Sequence, residues 1–252
     1  MSMKQQQAFQ LGVQLKRVGL YEEAWEAFER AKTQLKTHQA SLVISVQVDM
    51  LLEMGHLAIK MGWLDSARRE LNEALSLIES TTEVDMPRRA SILFGLGCVH
   101  HHREEHEKAR SLLFYVLEMQ KDLAPKGSVE MARTVHLLAE HYRATGQAAD
   151  AQQMYEAALL MLSSLVGKTD PDYLATEHDF AHHLAQSGHL EESAERLRRI
   201  VMQRETTLGA THPDVIDSLR LLAEIYTHQK CFTEADETFQ RAMTLCGAGD
   251  RV

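Results

Sequence analysis

Residues 11–31 read LGVQLKRVGLYEEAWEAFERA, and this stretch decides the fold because its landmarks return along the whole chain. Its small residue Ala24 recurs as Ala67, Ala109, Ala151, Ser193 and Ala235, at spacings of 43, 42, 42, 42 and 42 residues. The bulky Phe28 recurs as Leu71, Leu113, Tyr155, Leu197 and Phe239. Ala31 is followed by Ala74, Val116, Ala158, Ile200 and Ala242. Upstream, Leu11-Gly12 is matched by Met54-Gly55, Leu96-Gly97, Leu138-Ala139, Phe180-Ala181 and Leu222-Ala223. A fixed period of this length is the mark of a repeat architecture. Six periods of 42 fill the 252 residues, so the sequence is read as one repeat domain over 1–252. The units run approximately 5–47, 48–89, 90–131, 132–173, 174–215 and 216–249.

Each unit reads as two helices. In the fourth, Val135, Leu138, Ala139 and Tyr142 fall at i, i+3, i+4 and i+7, one face of a helix. Gly146 interrupts the pattern, and Ala151, Tyr155 and Ala158 restart it. Gly19, Gly62, Gly146 and Gly188 share this turn column, where a left-handed helix end favours glycine. Pro87, Pro171 and Pro213 share a column between units that suits the first turn of a helix. Asp170 before Pro171 is a good N-cap and His212 before Pro213 a poor one. Alternating small and bulky columns let neighbouring helices approach and fill the space beside the contact. The expected architecture is all-α, a solenoid of six helix pairs.

These columns resemble the tetratricopeptide repeat, whose landmarks Leu11, Gly12, Gly19, Tyr21, Ala24, Phe28 and Ala31 reproduce in full. The 42-residue period, and the segment LGATHPDV at 208–215 with LLAEIY at 221–226, look like the kinesin-light-chain subtype. There are departures. His100, Glu104 and His106 stand where other units are mostly apolar or Gly, Lys230 occupies a turn, and Ser193 replaces Ala. The resemblance implies a right-handed α-α superhelix (solenoid) of six tetratricopeptide-type helix pairs whose first helices line a concave face, and a fold that binds other proteins without itself naming the ligand.

Composition narrows the function classes. With 44% hydrophobic and 25% charged residues the chain is neither disordered nor low-complexity. Aromatics at 6% disfavour a β-sandwich, and a formal net charge of −9 disfavours nucleic acid as partner. Cys98, Cys231 and Cys246 show no paired spacing, which points to a reducing compartment. No 18-residue apolar stretch and no signal-like start occur, so a cytoplasmic location without membrane partners is expected.

The concave positions implied by the resemblance are, unit by unit, Phe9, Val13, Lys16 and Arg17; Leu52, His56, Ile59 and Lys60; Phe94, Cys98, His101 and His102; His136, Glu140, Arg143 and Ala144; His178, His182, Ala185 and Gln186; Arg220, Glu224, Thr227 and His228. These 24 positions hold five Lys or Arg against two Glu, with seven of the 14 histidines. A basic, His-rich groove on an acidic body suits an acidic peptide or a C-terminal carboxylate. Phe9, Leu52 and Phe94 are expected to anchor apolar groups, while Lys16, Arg17, Lys60, Arg143 and Arg220 steer charged ones.

Two histidine groups carry rival chemistry. His136 with Glu140, and His178 with His182, are i, i+4 pairs one repeat apart, and adjacent helices could gather them around zinc. A solvated or peptide-binding polar face is the stronger reading, so no metal or other cofactor is expected. His102-Arg103-Glu104-Glu105-His106 matches an inverted zinc-protease motif that needs one continuous helix, yet it spans the expected turn. His100 and His106 in packing columns suggest a spot that loosens as buried imidazoles gain protons. Residues 167–169 imitate a phosphate-loop ending, but Leu162 replaces its first Gly and no strand precedes it. No nucleophile, base and orienting group can be read together, so the chain is not expected to be an enzyme.

The function expected is therefore a non-enzymatic adaptor that takes a peptide segment in its groove. The alternative is a regulator whose superhelix changes shape on binding a peptide, proton or metal. After Phe239 the chain offers only Ala242, Met243 and Leu245 before a Gly-rich run from Cys246 to Val252, too short for a capping helix. A homodimer through an uncapped terminal repeat is thus a further expectation.

Overall fold

The computed structural model describes residues 3–37, 44–81 and 85–249 of the chain. Among them are twelve helices and no strand: α1 (Met3–Arg17), α2 (Tyr21–Thr37), α3 (Ile44–Lys60), α4 (Leu64–Glu79), α5 (Met86–His102), α6 (His106–Leu123), α7 (Val129–Ala144), α8 (Ala148–Leu165), α9 (Pro171–Gln186), α10 (Leu190–Leu208), α11 (Pro213–His228) and α12 (Phe232–Gly249). They make the six helix pairs of an α-α solenoid. The chain divides into two compact units, Met1–Lys126 and Gly127–Val252, of three pairs each.

The repeat columns become the cores of these units. Ala24, Ala67, Ala109 and Ala151 are fully buried, as are Phe28, Leu71, Leu113, Tyr155 and Leu197. Burying one such large side chain contributes about 1.5–3 kcal/mol. The small residue before each second column is set by closeness of approach: a Cβ on Gly12 would lie 2.7 Å from the Phe28 ring, and one on Gly55 2.7 Å from Leu71. Ser193 fits the Ala column because its buried hydroxyl donates to the Ala181 carbonyl at 2.5 Å. An odd helix packs mainly on the even helix after it, and α3, α5, α9 and α11 each also pack on both helices of the preceding pair.

Gly19, Gly62, Gly146 and Gly188 take φ of 84°, 74°, 79° and 88° at the turns within pairs. In the same column Glu104 and Lys230 are forced to φ of 58° and 63°, a conformation that costs a side-chain-bearing residue about 1–2 kcal/mol. Asp170 caps α9 by accepting the Asp172 amide at 2.9 Å. His212 departs from expectation: its Nδ1 accepts the Asp214 amide at 3.2 Å, so a neutral ring nitrogen serves as the cap. Another departure lies near the C-terminus. The expected Gly-rich coil is helical through Gly249, and Leu245 and Cys246 pack on the cluster of Val201, Val215, Ile216, Leu219 and Ala242. Residues 250–252 of that run lie outside the described residues.

Candidate functional site

In the first unit the expected face is carried by α1, α3 and α5. Phe9 is half-buried against Phe28, with ring centroids 5.8 Å apart. Lys16 Nζ donates to Glu53 Oε2 at 2.6 Å, tying α1 to α3. Arg17 and Lys60 are exposed, the Lys60 ammonium lying 5.1 Å from the centre of the Tyr21 ring. Leu52, expected as an anchor, is buried in the core with Leu51, Leu93 and Leu96 and presents little surface. Phe94 is half-buried beside that core. His56 and His101 are half-buried, and His102 is exposed with its ring 5.4 Å from that of His101. Burial pushes the Cys98 thiol up to about 12, which disfavours its thiolate form.

The third pair turns where the sequence predicts its break, and only the burial of its histidines departs from expectation. α5 ends at His102 and α6 begins at His106, with left-handed Glu104 between them, so the zinc-protease string is split across two helices. His100 is half-buried, not buried, and its Nδ1 lies 3.0 Å from the Glu105 carboxylate.

In the second unit, α7 and α9 build a denser polar cluster. His136 Nε2 lies 2.9 Å from Asp179 Oδ2, and His136 Nδ1 lies 3.3 Å from Thr176 Oγ1. The Thr176 hydroxyl spends its one proton on the Asp172 carbonyl at 2.9 Å, so it can only accept from the ring. This arrangement suits a protonated His136, in which both ring nitrogens donate. Burial alone would lower the His136 pKa; the bond to Asp179 and the nearby Glu140 and Asp172 outweigh it and hold the value above 6.5. Burial would likewise raise Asp179, but its bonds to His136 and His178 hold it well below the usual carboxylate range. His178 donates its Nδ1 proton to Asp179 Oδ1 at 3.2 Å.

Glu140 is held by Arg143 through two bonds of 3.1 and 2.7 Å, and Tyr155 donates its hydroxyl to the same carboxylate. Arg143 also reaches Gln186 at 3.1 Å, and His182 Nε2 lies 3.1 Å from the Gln186 amide nitrogen. Burial, aided by the Arg143 charge, keeps the His182 pKa below 6.5, and His183 is lowered for the same reasons. Arg220 and His228 are exposed on α11, each 3.9 Å from an acid of its own helix, Asp217 and Glu224.

Donor atoms of His136, Glu140 and Asp179 lie within 4.8 Å of one another. The group differs from the disfavoured quartet weighed in the sequence, with Asp179 in place of His178 and His182. A metal here would have to displace the His136 proton and compete with the Arg143 guanidinium for Glu140.

Sequence reasoning missed the acids. Asp49 accepts from Arg88 at 2.7 and 3.0 Å, Asp172 accepts from Arg133 at 2.8 and 2.6 Å, and Glu53 and Asp179 pair as described. A signal was present, for the partners of these cross-helix bonds are separated by 37, 39, 39 and 43 residues, close to one repeat. Glu53 neutralises Lys16 and Glu140 neutralises Arg143, while Arg17, Lys60 and Arg220 are exposed cations of the expected row.

Helix pairs stacked through small and bulky columns define the class of α-α repeat proteins. Tetratricopeptide repeat family models match residues 52–127 and 130–201, more than half of the chain. The chain belongs to the tetratricopeptide repeat family. No curated protein matches it by sequence. Among solved structures it is similar to the kinesin light chain TPR-like repeats of Podosopora anserina, at 22% identity and a TM-score of 0.56, over 81% of this chain and 97% of that one. NprR in complex with its cognate peptide NprX is similar at 16% identity and a TM-score of 0.76, over 93% of this chain and 66% of that one. A Rap protein complexed with Competence and Sporulation Factor gives 14% and 0.68, over 94% and 73%. Among the described residues no helix is long and apolar enough to cross a membrane.

Proposed function

We propose that this chain is a non-enzymatic interaction module that binds an acidic peptide segment along the exposed faces of its first helices, acting as one repeat domain. The supporting observation is the exposure of Arg17 and Lys60 in the first unit, whose first helices also carry half-buried Phe9, Phe94 and histidines, and of Arg220 in the second. Such a surface offers long-range attraction together with apolar contact area. NprR and the Rap protein are in complex with a peptide and a named factor, respectively, which is consistent with that reading. Binding peptides recovered by display selection on the purified protein supply the assay. Arg17→Glu combined with Lys60→Glu should weaken them about tenfold at low salt, an effect that fades near 0.5 M salt. Unchanged affinity sinks the proposed face.

A second reading, a ligand- or proton-responsive regulator, draws on one feature. The His136–Asp179 bond joins α7 to α9 through a titratable ring, so the contact between these helices depends on its proton. Scattering between pH 8 and 6 that detects no change in dimensions would count against it.

A further inference from the structure

Five members of the bulky repeat column are fully buried, and the sixth is not: Phe239 is 46% exposed. Its neighbours on α12 follow it. Phe232 is 65% exposed, whereas its counterpart one repeat earlier, Leu190, packs on a core cluster; Met243 is 50% exposed where Val201 and Leu159 are 5% and 8%. Together with α11, these residues form an open groove of Ala223, Glu224, Thr227, Phe232, Asp236 and Phe239, edged by Arg220.

The rest of the second unit shows what such a groove holds. One repeat earlier, the groove between α9 and α10 is occupied by α11, which seats Leu222 and Ile225 against Ala181, Ala194 and Leu197. In the other unit α3 seats Met54 and Leu57, and α5 seats Leu96 and Val99, in the same way. Each occupant is a helix with a large apolar residue followed three positions later by another. The α11–α12 groove differs in charge: Glu224 and Asp236 stand where the preceding groove has His182 and Ala194. Two acids against one Arg call for a cation on the visitor. A second copy arranged head to tail is a poor visitor, because α1 carries exposed Gln14 where α3, α5 and α11 carry Leu57, Val99 and Ile225.

We propose that the groove between α11 and α12 is a docking site for a partner's amphipathic helix, bearing large apolar residues three apart and a Lys or Arg beside them. This surface meets the peptide face argued above at Arg220 on α11, and Phe232, Asp236 and Phe239 on α12 set it apart. The probe is a fluorescein-labelled peptide copying residues 213–228 with Asp217→Lys and Glu224→Lys, read by anisotropy on the whole protein. It should bind saturably, and the same peptide with Leu222→Asp and Ile225→Asp should not. Phe239→Asp should lower affinity at least about tenfold, as the loss of a central aromatic contact does. Phe232→Asp, at a more exposed position, repeats the measurement should the first variant melt early by circular dichroism. Asp236→Lys should weaken the Lys-bearing probe and leave the unsubstituted 213–228 peptide unaffected, while Arg17→Glu with Lys60→Glu should change neither. Absence of binding, or binding to both Phe variants as tight as to the unsubstituted protein, overturns the proposal. So does a dimer that Phe239→Asp dissociates and that excludes the probe, since a second copy is then the occupant.

Discussion

The bond between His136 and Asp179 gives the most exacting test of the cluster on α7 and α9. Consider a double-mutant cycle of His136→Gln and Asp179→Asn, which preserves size and hydrogen-bonding capacity while removing each charge. An exposed ion pair contributes about 0.2–1 kcal/mol, and a hydrogen bond to a charged group about 1.5–3 kcal/mol. The side chains are 19% and 35% exposed, so water screens the pair partly and a coupling of about 1–2 kcal/mol is expected. Its pH dependence follows from the two shifts. His136 is raised above 6.5, so its contribution is complete below that value and is lost as pH rises through the folded pKa. Asp179 is depressed below 3.8, so its contribution is complete above that value and is lost as pH falls through the folded pKa. Both are intact between about pH 4 and 6.5. Urea unfolding of the four proteins should show full coupling at pH 5.5 and less than about half of it at pH 9. Coupling that is equal at the two values, or stronger at pH 9, would refute the reasoning that His136 pairs with Asp179 in its protonated form.

The remaining expectations concern the repeat itself. Ala151→Leu forces a larger side chain into a fully buried column and should cost about 1–3 kcal/mol, seen as a lower urea midpoint with an unchanged slope. Glu104→Gly and Lys230→Gly each relieve a left-handed residue and should raise stability by about 1 kcal/mol, whereas Gly146→Ala should lower it by a similar amount. Thermal or urea unfolding with no gain for either Gly variant would show that the Glu104 and Lys230 side chains compensate the strain.

What the sequence alone determined is the set of twelve helices, their pairing and most of the core, because these follow from local geometry. The 3.6-residue turn selects one face, as Val135, Leu138, Ala139 and Tyr142 show, and a small residue such as Ala151 recurs wherever two helices touch. Leu52 marks where this reasoning stops: one step around the helix from the packing stripe is not always solvent, and it lies in the core. The electrostatics of the face were decided by tertiary structure. Asp179 meets His136, Asp49 meets Arg88 and Glu53 meets Lys16 only because successive first helices stack in a particular register. A Coulomb or hydrogen-bond partner is chosen by ångströms across a packed interface, and helical periodicity does not carry that distance. Thus a row that counts as basic along the chain is, in space, a row largely paired with acids.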